Sequence, residues 1–184
     1  VVSTDSITIK NIVSKQMIDH CFIRSKKLSG DKISKISVIK DLLIKSENKY
    51  NKNFDIIVDL DVTSPLRKVS DIKKSFKDFL NNGSTNMVTV TKASKNPYFN
   101  MIEYKNGSYQ KVKKFKNKKF TTRQSTPKVY NMNASIYLWK RKTILQDLPI
   151  INSKTSIYEM PKIRSTDIDD IEDFNYVKYL MNKK

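Results

Sequence analysis

Acidic and hydroxyl side chains gather at the end of one apolar run of this chain. The run from Asp55 is rich in β-branched residues and ends in Asp59-Leu60-Asp61, which is typical of a buried strand. The segment Thr63-Ser64-Pro65-Leu66-Arg67 follows directly. Alternate carboxylates on a strand face one side and suit a divalent cation, whereas hydroxyls and backbone amides suit a phosphate or carboxylate. Because ligands of open α/β sheets bind at the carboxyl ends of strands, this segment predicts a site.

A second acidic segment, Asp167-Ile168-Asp169-Asp170, precedes a helix predicted from Asp170 to Met181. Asp167 and Asp169 again alternate and face one way. Asp170 is expected to cap the helix or to lie in its first turn, where an acid is favourable.

Strands and helices alternate along the chain, and this alternation predicts a mostly parallel sheet with helices on both faces. A hairpin interrupts it around Lys105-Asn106-Gly107-Ser108. The predicted strands are those ending at 2 and 61 and those at 21–23, 87–91, 135–139 and 158–161; the predicted helices are 3–18, from 31, 70–80, 140–148 and 170–181.

Length and composition limit the class of protein. The chain has 184 residues, enough for one domain with a sizeable core, and no apolar run of about 18 residues that would span a membrane. A single cysteine, Cys21, and a single histidine, His20, exclude an intrachain disulfide and a Cys/His zinc site. The net charge of +18 favours anionic ligands, either nucleotides or nucleic acid.

Four segments, in chain order, resemble motifs of the acylneuraminate cytidylyltransferase family. Phe22–Asp31 resembles "R-P-x-x-L-A-x-D", Thr63–Arg67 matches "TSPLR", Arg123–Tyr137 resembles "RQ…P…NGAIY", and Asp167–Asp170 resembles "DIDTE/DIDD". Members of this family join a nonulosonic (sialic-type) acid to CTP and release a CMP-sugar and pyrophosphate. The resemblance implies an α/β, Rossmann-like nucleotide-diphospho-sugar transferase fold and a nucleotidyltransferase that uses CTP, a nonulosonic acid and Mg²⁺.

The resemblance also implies roles for individual residues. Asp167 and Asp169 would be the catalytic residues and Mg²⁺ ligands, and Arg24 and Ser34 would contact the nucleotide. The sugar would be bound by a larger set: Asp61, Thr63, Ser64, Arg67, Arg123, Gln124, Asn131, Asn133 and Tyr137. A general base is not evident, and both a metal-bound water and Asp167 stay open.

Structural roles stay open for several of these residues. Asp59 could make a structural hydrogen bond, and Arg67 could pin its loop through a salt bridge instead of binding an anion. Arg24 could be a surface arginine, and Gln124 and Tyr137 could serve loop packing and the core.

Two positions depart from the sialic acid enzymes. Asp61 stands where those enzymes have Gln, and Asn131 stands where they have Arg. An acid in place of an amide and the loss of a cation favour a legionaminic- or pseudaminic-type acid over N-acetylneuraminate as the substrate.

The opening of the family is a strand and a loop of the type "ARGGSKxxPGKN" that grips the triphosphate, and no segment here matches it. We therefore expect residues 1–184 to be one cytidylyltransferase domain without its first strand and phosphate loop, inactive by itself. The hairpin and basic arm at 96–125 resemble the dimerisation element of the family. A cytoplasmic homodimer is expected.

Two other classes of function fit parts of this sequence. A different metal-dependent nucleotidyltransferase or glycosyltransferase could use Asp59-Leu60-Asp61 as its metal motif. A nonenzymatic basic module could bind nucleic acid through Lys111–Lys119, but only Phe115 and Phe120 offer stacking aromatics there. Neither nucleic acid nor a membrane is therefore expected as a partner.

Overall fold

Strands and helices alternate along the computed structural model, which describes residues 1–115 and 119–183. In chain order the elements are β1 (Val2–Thr4), α1 (Ile7–Val13), β2 (Cys21–Ile23), α2 (Lys35–Tyr50), β3 (Ile56–Leu60), α3 (Val69–Asn81), β4 (Asn86–Lys92), β5 (Ile102–Lys105), β6 (Ser108–Lys111), β7 (Tyr130–Lys140), α4 (Arg141–Leu145), β8 (Thr155–Glu159) and α5 (Ile171–Asn182). Short 3₁₀ turns lie at Lys26–Leu28 and Lys162–Arg164.

The largest sheet has the strand order β3-β7-β4-β8. β3 and β7 pair antiparallel, with Ile56 opposite Lys140 and Leu60 opposite Ile136, whereas β1 and β2 pair in parallel. The predicted fold class, α/β with a mostly parallel sheet and flanking helices, is confirmed.

The chain divides into two compact units, each built from three stretches. Unit 1 contains Val1–Leu60, Phe76–Val88 and Ile136–Ser156, and unit 2 contains Asp61–Ser75, Thr89–Ser135 and Ile157–Lys184. The expected site residues are divided between them: Arg24, Ser34 and Tyr137 belong to unit 1 and the others to unit 2.

The core of unit 1 is apolar and fully closed to water. Trp139, Val88 and Ile144 have 0% of their surface exposed, and Phe79 has 1%. Helix α2 packs through Ile36, Ile39 and Leu43, which recur at the spacing of one helical face. Its ends are set by Ser34, whose hydroxyl accepts the Ser37 N–H, and by Asn51 in the left-handed conformation.

Among the described residues of unit 2, the buried apolar side chains are Val90, Phe120, Met160 and Val177. Its β5–β6 hairpin turns through Asn106 and Gly107, both with positive φ. This is the two-residue turn that the sequence signal predicts.

Several element boundaries differ from the predictions because of local capping. Helix α1 begins after Ser6, whose hydroxyl accepts the Ile9 N–H, and it ends at Val13 rather than near residue 18. Helix α2 starts at Lys35, four residues later than expected from Asp31, because Ser34 is its N-cap. Strand β7 is longer than predicted and includes 130–134.

Residues 116–118 of the predicted basic arm lie outside the described residues. Within 1–115 and 119–183, no helix has both the length and the apolar character that crossing a membrane requires.

Candidate functional site

The loop after β3 is closed by hydrogen bonds to backbone carbonyls. Arg67 donates from Nη1 to the Ser135 carbonyl at 2.9 Å and from Nη2 to the Asp61 carbonyl at 2.5 Å. Ser64 is fully buried, and its hydroxyl donates to the Asn133 carbonyl at 3.1 Å. In these contacts Ser64 and Arg67 hold the loop on β7, so their assignment to the sugar stays a prediction.

Within unit 2, the segment that carries Asp167 lies against the loop after β3. The Ile168 N–H donates to the Thr63 carbonyl at 3.0 Å, which places the second acidic segment next to this loop. The Thr63 hydroxyl donates to Asp61 Oδ1 at 3.2 Å. The prediction from strand ends placed polar chemistry here, and the structure brings Asp61, Thr63 and the segment with Asp167 to one place.

Asp167 carries a buried oxygen without a hydrogen-bond donor. Within the part of the chain that the structure describes, nothing hydrogen-bonds its Oδ1, although the atom is closed to water. Such an oxygen is costly to bury unless a cation or proton joins it. Asp169 is exposed, and Asp170 caps α5 by accepting the Asp173 N–H at 2.8 Å. The capping role expected of Asp170 is confirmed.

The acidic segment is tied down by an ion pair that sequence reasoning missed. Arg164 donates from Nε and Nη2 to the two oxygens of Asp71, at 2.8 and 2.7 Å, and Asp71 also accepts the Lys68 N–H at 2.9 Å. Burial by itself would raise the pKa of Asp71, but the bonds from Arg164 and Lys68 and their charges hold that pKa below its ordinary value. The sequence offered one indication of the role of Asp71. It lies three residues after Lys68, a spacing that is typical of an acid whose side chain accepts the backbone N–H at a helix start.

Asn133 joins β7 to β4 and to the acidic segment. Its Oδ1 accepts from the Thr89 hydroxyl at 2.7 Å, and its Nδ2 donates to the Ser165 hydroxyl at 2.9 Å. The side chain is 4% exposed. Because its amide is used internally, Asn133 holds the site together in this structure, and direct contact with the sugar stays a prediction.

Arg123 and Gln124 line an open depression of about 250 Å³ in unit 2. Lys92, Asn96 and Lys128 also line it, so its walls are cationic and amidic. Arg123 donates to the Ser94 carbonyl, and both Arg123 and Gln124 are exposed. Asn131 is an exposed residue of β7. This surface can bind an anionic, polyhydroxylated ligand.

The predicted nucleotide residues of unit 1 have local partners. Arg24 donates from its backbone N–H to the Thr4 carbonyl at 2.8 Å and from Nη2 to Asp5 Oδ1 at 3.3 Å. Ser34 is exposed and caps α2. These positions suit local structure, and nucleotide contact stays a prediction.

Tyr137 and Asp59 share one cation in unit 1. The Lys35 ammonium lies 3.0 Å from Asp59 Oδ2 and 4.3 Å from the centroid of the Tyr137 ring. Tyr137 is 5% exposed and stacks on Trp139 with ring centroids 6.1 Å apart. Asp59 therefore has a structural ion pair with Lys35, and the structural hydrogen bond and the metal-binding role both stay predictions.

A solved structure shares the fold of this chain. The solved structure of a CMP:2-keto-3-deoxy-manno-octonic acid synthetase complexed with CTP matches 99% of this chain and 80% of its own, with a TM-score of 0.63 and 11% sequence identity. At that identity the likeness shows a shared nucleotidyltransferase-type fold and nothing more.

The sequence comparisons define the family. The cytidylyltransferase family model matches residues 1–184, and the chain belongs to that family. A "post-translational flagellin modification protein B" of Campylobacter coli is 41% identical over 184 residues, which are 100% of this chain and 77% of that protein. A "CMP-N,N'-diacetyllegionaminic acid synthase" of Campylobacter jejuni is 39% identical over the same shares. The expected family and the nucleotidyltransferase activity are confirmed.

Proposed function

We propose that this cytidylyltransferase joins CTP to a legionaminic-type nonulosonic acid and releases the CMP-sugar and pyrophosphate. The relative named for diacetyllegionaminic acid supports this substrate class. Asp61 and Asn131 support it as well, since they replace an amide and a cation of the sialic acid enzymes. Under this proposal the enzyme uses a legionaminic-type acid in preference to N-acetylneuraminate.

The observation that carries the metal-dependent chemistry of the proposal is the buried Oδ1 of Asp167, which no described donor reaches. A divalent cation would satisfy this oxygen, and Asp169 offers a second carboxylate two residues away. Within the described residues, no group of three or more acidic, histidine or cysteine side chains could hold a metal by itself. This suits Mg²⁺, which is commonly held by one or two carboxylates together with substrate phosphates.

Asp167 and Asp169 are the residues that would hold Mg²⁺, which would neutralise charge on the departing pyrophosphate. Arg24 and Ser34 are proposed to contact the nucleotide. The cationic depression around Arg123 and Gln124 would bind the carboxylate and hydroxyls of the sugar acid. Catalysis by such a site consists mainly of positioning and charge stabilisation.

We also propose a cytoplasmic homodimer. The β5–β6 hairpin exposes Ile102, Tyr104 and Tyr109, with 67%, 68% and 75% of their surfaces accessible. Aromatic and aliphatic side chains exposed together mark contact surfaces more often than solvated ones. Replacing both tyrosines by serine should shift the mass measured by light scattering to that of a monomer.

The test is a comparison of substrates in the protein as its gene encodes it. Pyrophosphate release and CMP-sugar formation are measured with CTP, Mg²⁺ and, in turn, diacetyllegionaminic acid, pseudaminic acid and N-acetylneuraminic acid. We expect the highest kcat/KM with the first. A preference for N-acetylneuraminic acid would refute the substrate class.

The metal assignment is tested by Asp167→Asn, with Asp170→Asn as the matched control. Both changes remove one charge from the same segment, but Asn still caps a helix. Asp167→Asn should abolish Mg²⁺-dependent turnover, and Asp170→Asn should keep it within about a few-fold. Equal turnover in the two variants would contradict the assignment.

A further inference from the structure

We propose that Asp71 and Arg164 are positioning residues that hold the acidic segment so that Asp167 can bind the metal ion. The inference rests on the metal site proposed above. It assigns a role to two residues that contact neither substrate in that proposal and that the motifs do not include.

The pair has the geometry of a rigid clamp. Both Asp71 oxygens accept from the guanidinium of Arg164, at 2.7 and 2.8 Å, and Asp71 is 1% exposed. A planar fork bonded at two points allows one orientation, which a single ammonium contact would not impose. Asp71 lies in the first turn of α3, which begins two residues after Arg67. The pair therefore joins α3 to the segment that carries Asp167.

Two further bonds place Asp167 between fixed points. The Ser165 hydroxyl, two residues before Asp167, accepts a hydrogen bond from Asn133 Nδ2 at 2.9 Å. Ile168 donates its N–H to the Thr63 carbonyl at 3.0 Å, one residue after it. Arg164 directly precedes Ser165, so the Asp71–Arg164 pair fixes the backbone at a third point. The carboxylate of Asp167 therefore keeps one orientation, with its Oδ1 available to a metal ion.

Stability alone does not explain why an ion pair, rather than apolar side chains, lies at this place. A buried ion pair loses hydration and often contributes no more to stability than apolar side chains of the same size would. Groups that orient a metal ligand, in contrast, typically change metal affinity about 10- to 100-fold when they are removed.

Unit 1 contains a matched control. Arg141 donates from Nε and Nη2 to the two oxygens of Glu47, at 2.7 and 2.9 Å, and Glu47 is 9% exposed. The two pairs share their bidentate geometry, and both carboxylates are largely buried, Asp71 more deeply than Glu47. Arg141 begins α4, far in sequence from the acidic segment, so the two clamps differ in what they hold.

The experiment compares Asp71→Asn with Glu47→Gln, using two readouts that need no turnover. The first is the hydrogen-exchange rate of the Ile168 amide, measured by NMR. The second is Mn²⁺ binding, followed by electron paramagnetic resonance as Mn²⁺ is added to the protein as its gene encodes it. In Asp71→Asn we expect clearly faster exchange of the Ile168 amide and about 10-fold weaker Mn²⁺ binding. In Glu47→Gln both should stay within about two-fold.

Each outcome decides the matter. Unchanged exchange and affinity in a folded Asp71→Asn would overturn the proposal, as would equal changes in Glu47→Gln. If Asp71→Asn does not fold, Arg164→Lys is measured in its place, because it keeps the charge and loses the fork. A third variant, Asp167→Asn, separates the two proposals. If it leaves Mn²⁺ binding unchanged, the metal site is wrong, whereas the Ile168 exchange rate still tests the clamp.

Discussion

Ala134 adopts a backbone conformation that strands rarely contain, and this allows a sharp test of the site's construction. Its φ is +50°, in the middle of β7, between the buried residues Asn133 and Ser135. The carbonyls of those two neighbours accept the hydrogen bonds from Ser64 and Arg67 that close the loop after β3. We predict that stability at this position follows the order Gly, Ala, Val, the reverse of the order expected in an ordinary strand.

The magnitude follows from the backbone. An L-residue in the left-handed region costs about 1–2 kcal/mol, which glycine avoids. Glycine in turn costs about 0.5–1 kcal/mol in conformational entropy, and the lost half-buried methyl reduces the gain further. Ala134→Gly should therefore add about 0.5 kcal/mol to the free energy of unfolding. Ala134→Val should lose at least about 1 kcal/mol, because a β-branched side chain fits this region poorly.

Thermal and urea unfolding of the three proteins measure these differences. For a chain of this length about 1 kcal/mol shifts Tm by about 2–4 °C, so Ala134→Gly should raise Tm slightly and Ala134→Val should lower it clearly. Met132, an exposed residue of the same strand whose φ is not positive, is the control, and there Val should be at least as stable as Gly. The reasoning fails if the same order is found at both positions.

Three further predictions concern the site and its ion pairs. Asp61→Gln combined with Asn131→Arg should raise kcat/KM for N-acetylneuraminic acid relative to the native sugar. Each change should alter the binding free energy of that sugar by on the order of 1–3 kcal/mol in a site closed to water. An unaltered ranking of the sugars would show that neither residue determines sugar specificity. Asp169→Asn should remove activity without changing the circular dichroism spectrum, and Mg²⁺-dependent turnover near the wild-type rate would contradict its role as a ligand. The hydrogen bond from Arg141 lowers the pKa of Glu47 from 4.5, and the pKa of Asp71 lies below 3.8, so both pairs stabilise the fold above about pH 4.5 and lose this contribution as the pH falls through the lowered values. Urea unfolding between pH 7 and 3 should show this loss, and a pH dependence that Asp71→Asn does not reduce would exclude a contribution from that pair.

Local features were predictable from the sequence because they depend on residues a few positions apart. The Asn106-Gly107 turn and the Asp170 cap are of this kind, and both are present in the structure. The alternation of strands and helices and the four motifs in chain order also sufficed for the fold class and the family. The start of α2 was predicted too early, since the hydroxyl of Ser34 decides it and several earlier residues could also have capped a helix.

Partners that lie far apart in the chain could not be predicted. The sequence identified Arg67 and Asn133 as residues of interest, but only the packing shows that Arg67 bonds two carbonyls and that the Asn133 amide is used inside the site. Asp71 and Arg164 are 93 residues apart, and neither stood out in a chain with 36 basic residues.

The order of the residues is enough to say which chemical groups this protein carries and which local turns and caps they form. Only the folded chain shows which groups meet. It pairs Asp59 with Lys35, and it leaves Asp167 with a buried oxygen that no described donor reaches. The physical reason is that capping and turn formation act over about four residues, whereas pairing and burial depend on which distant segments the packed core brings together.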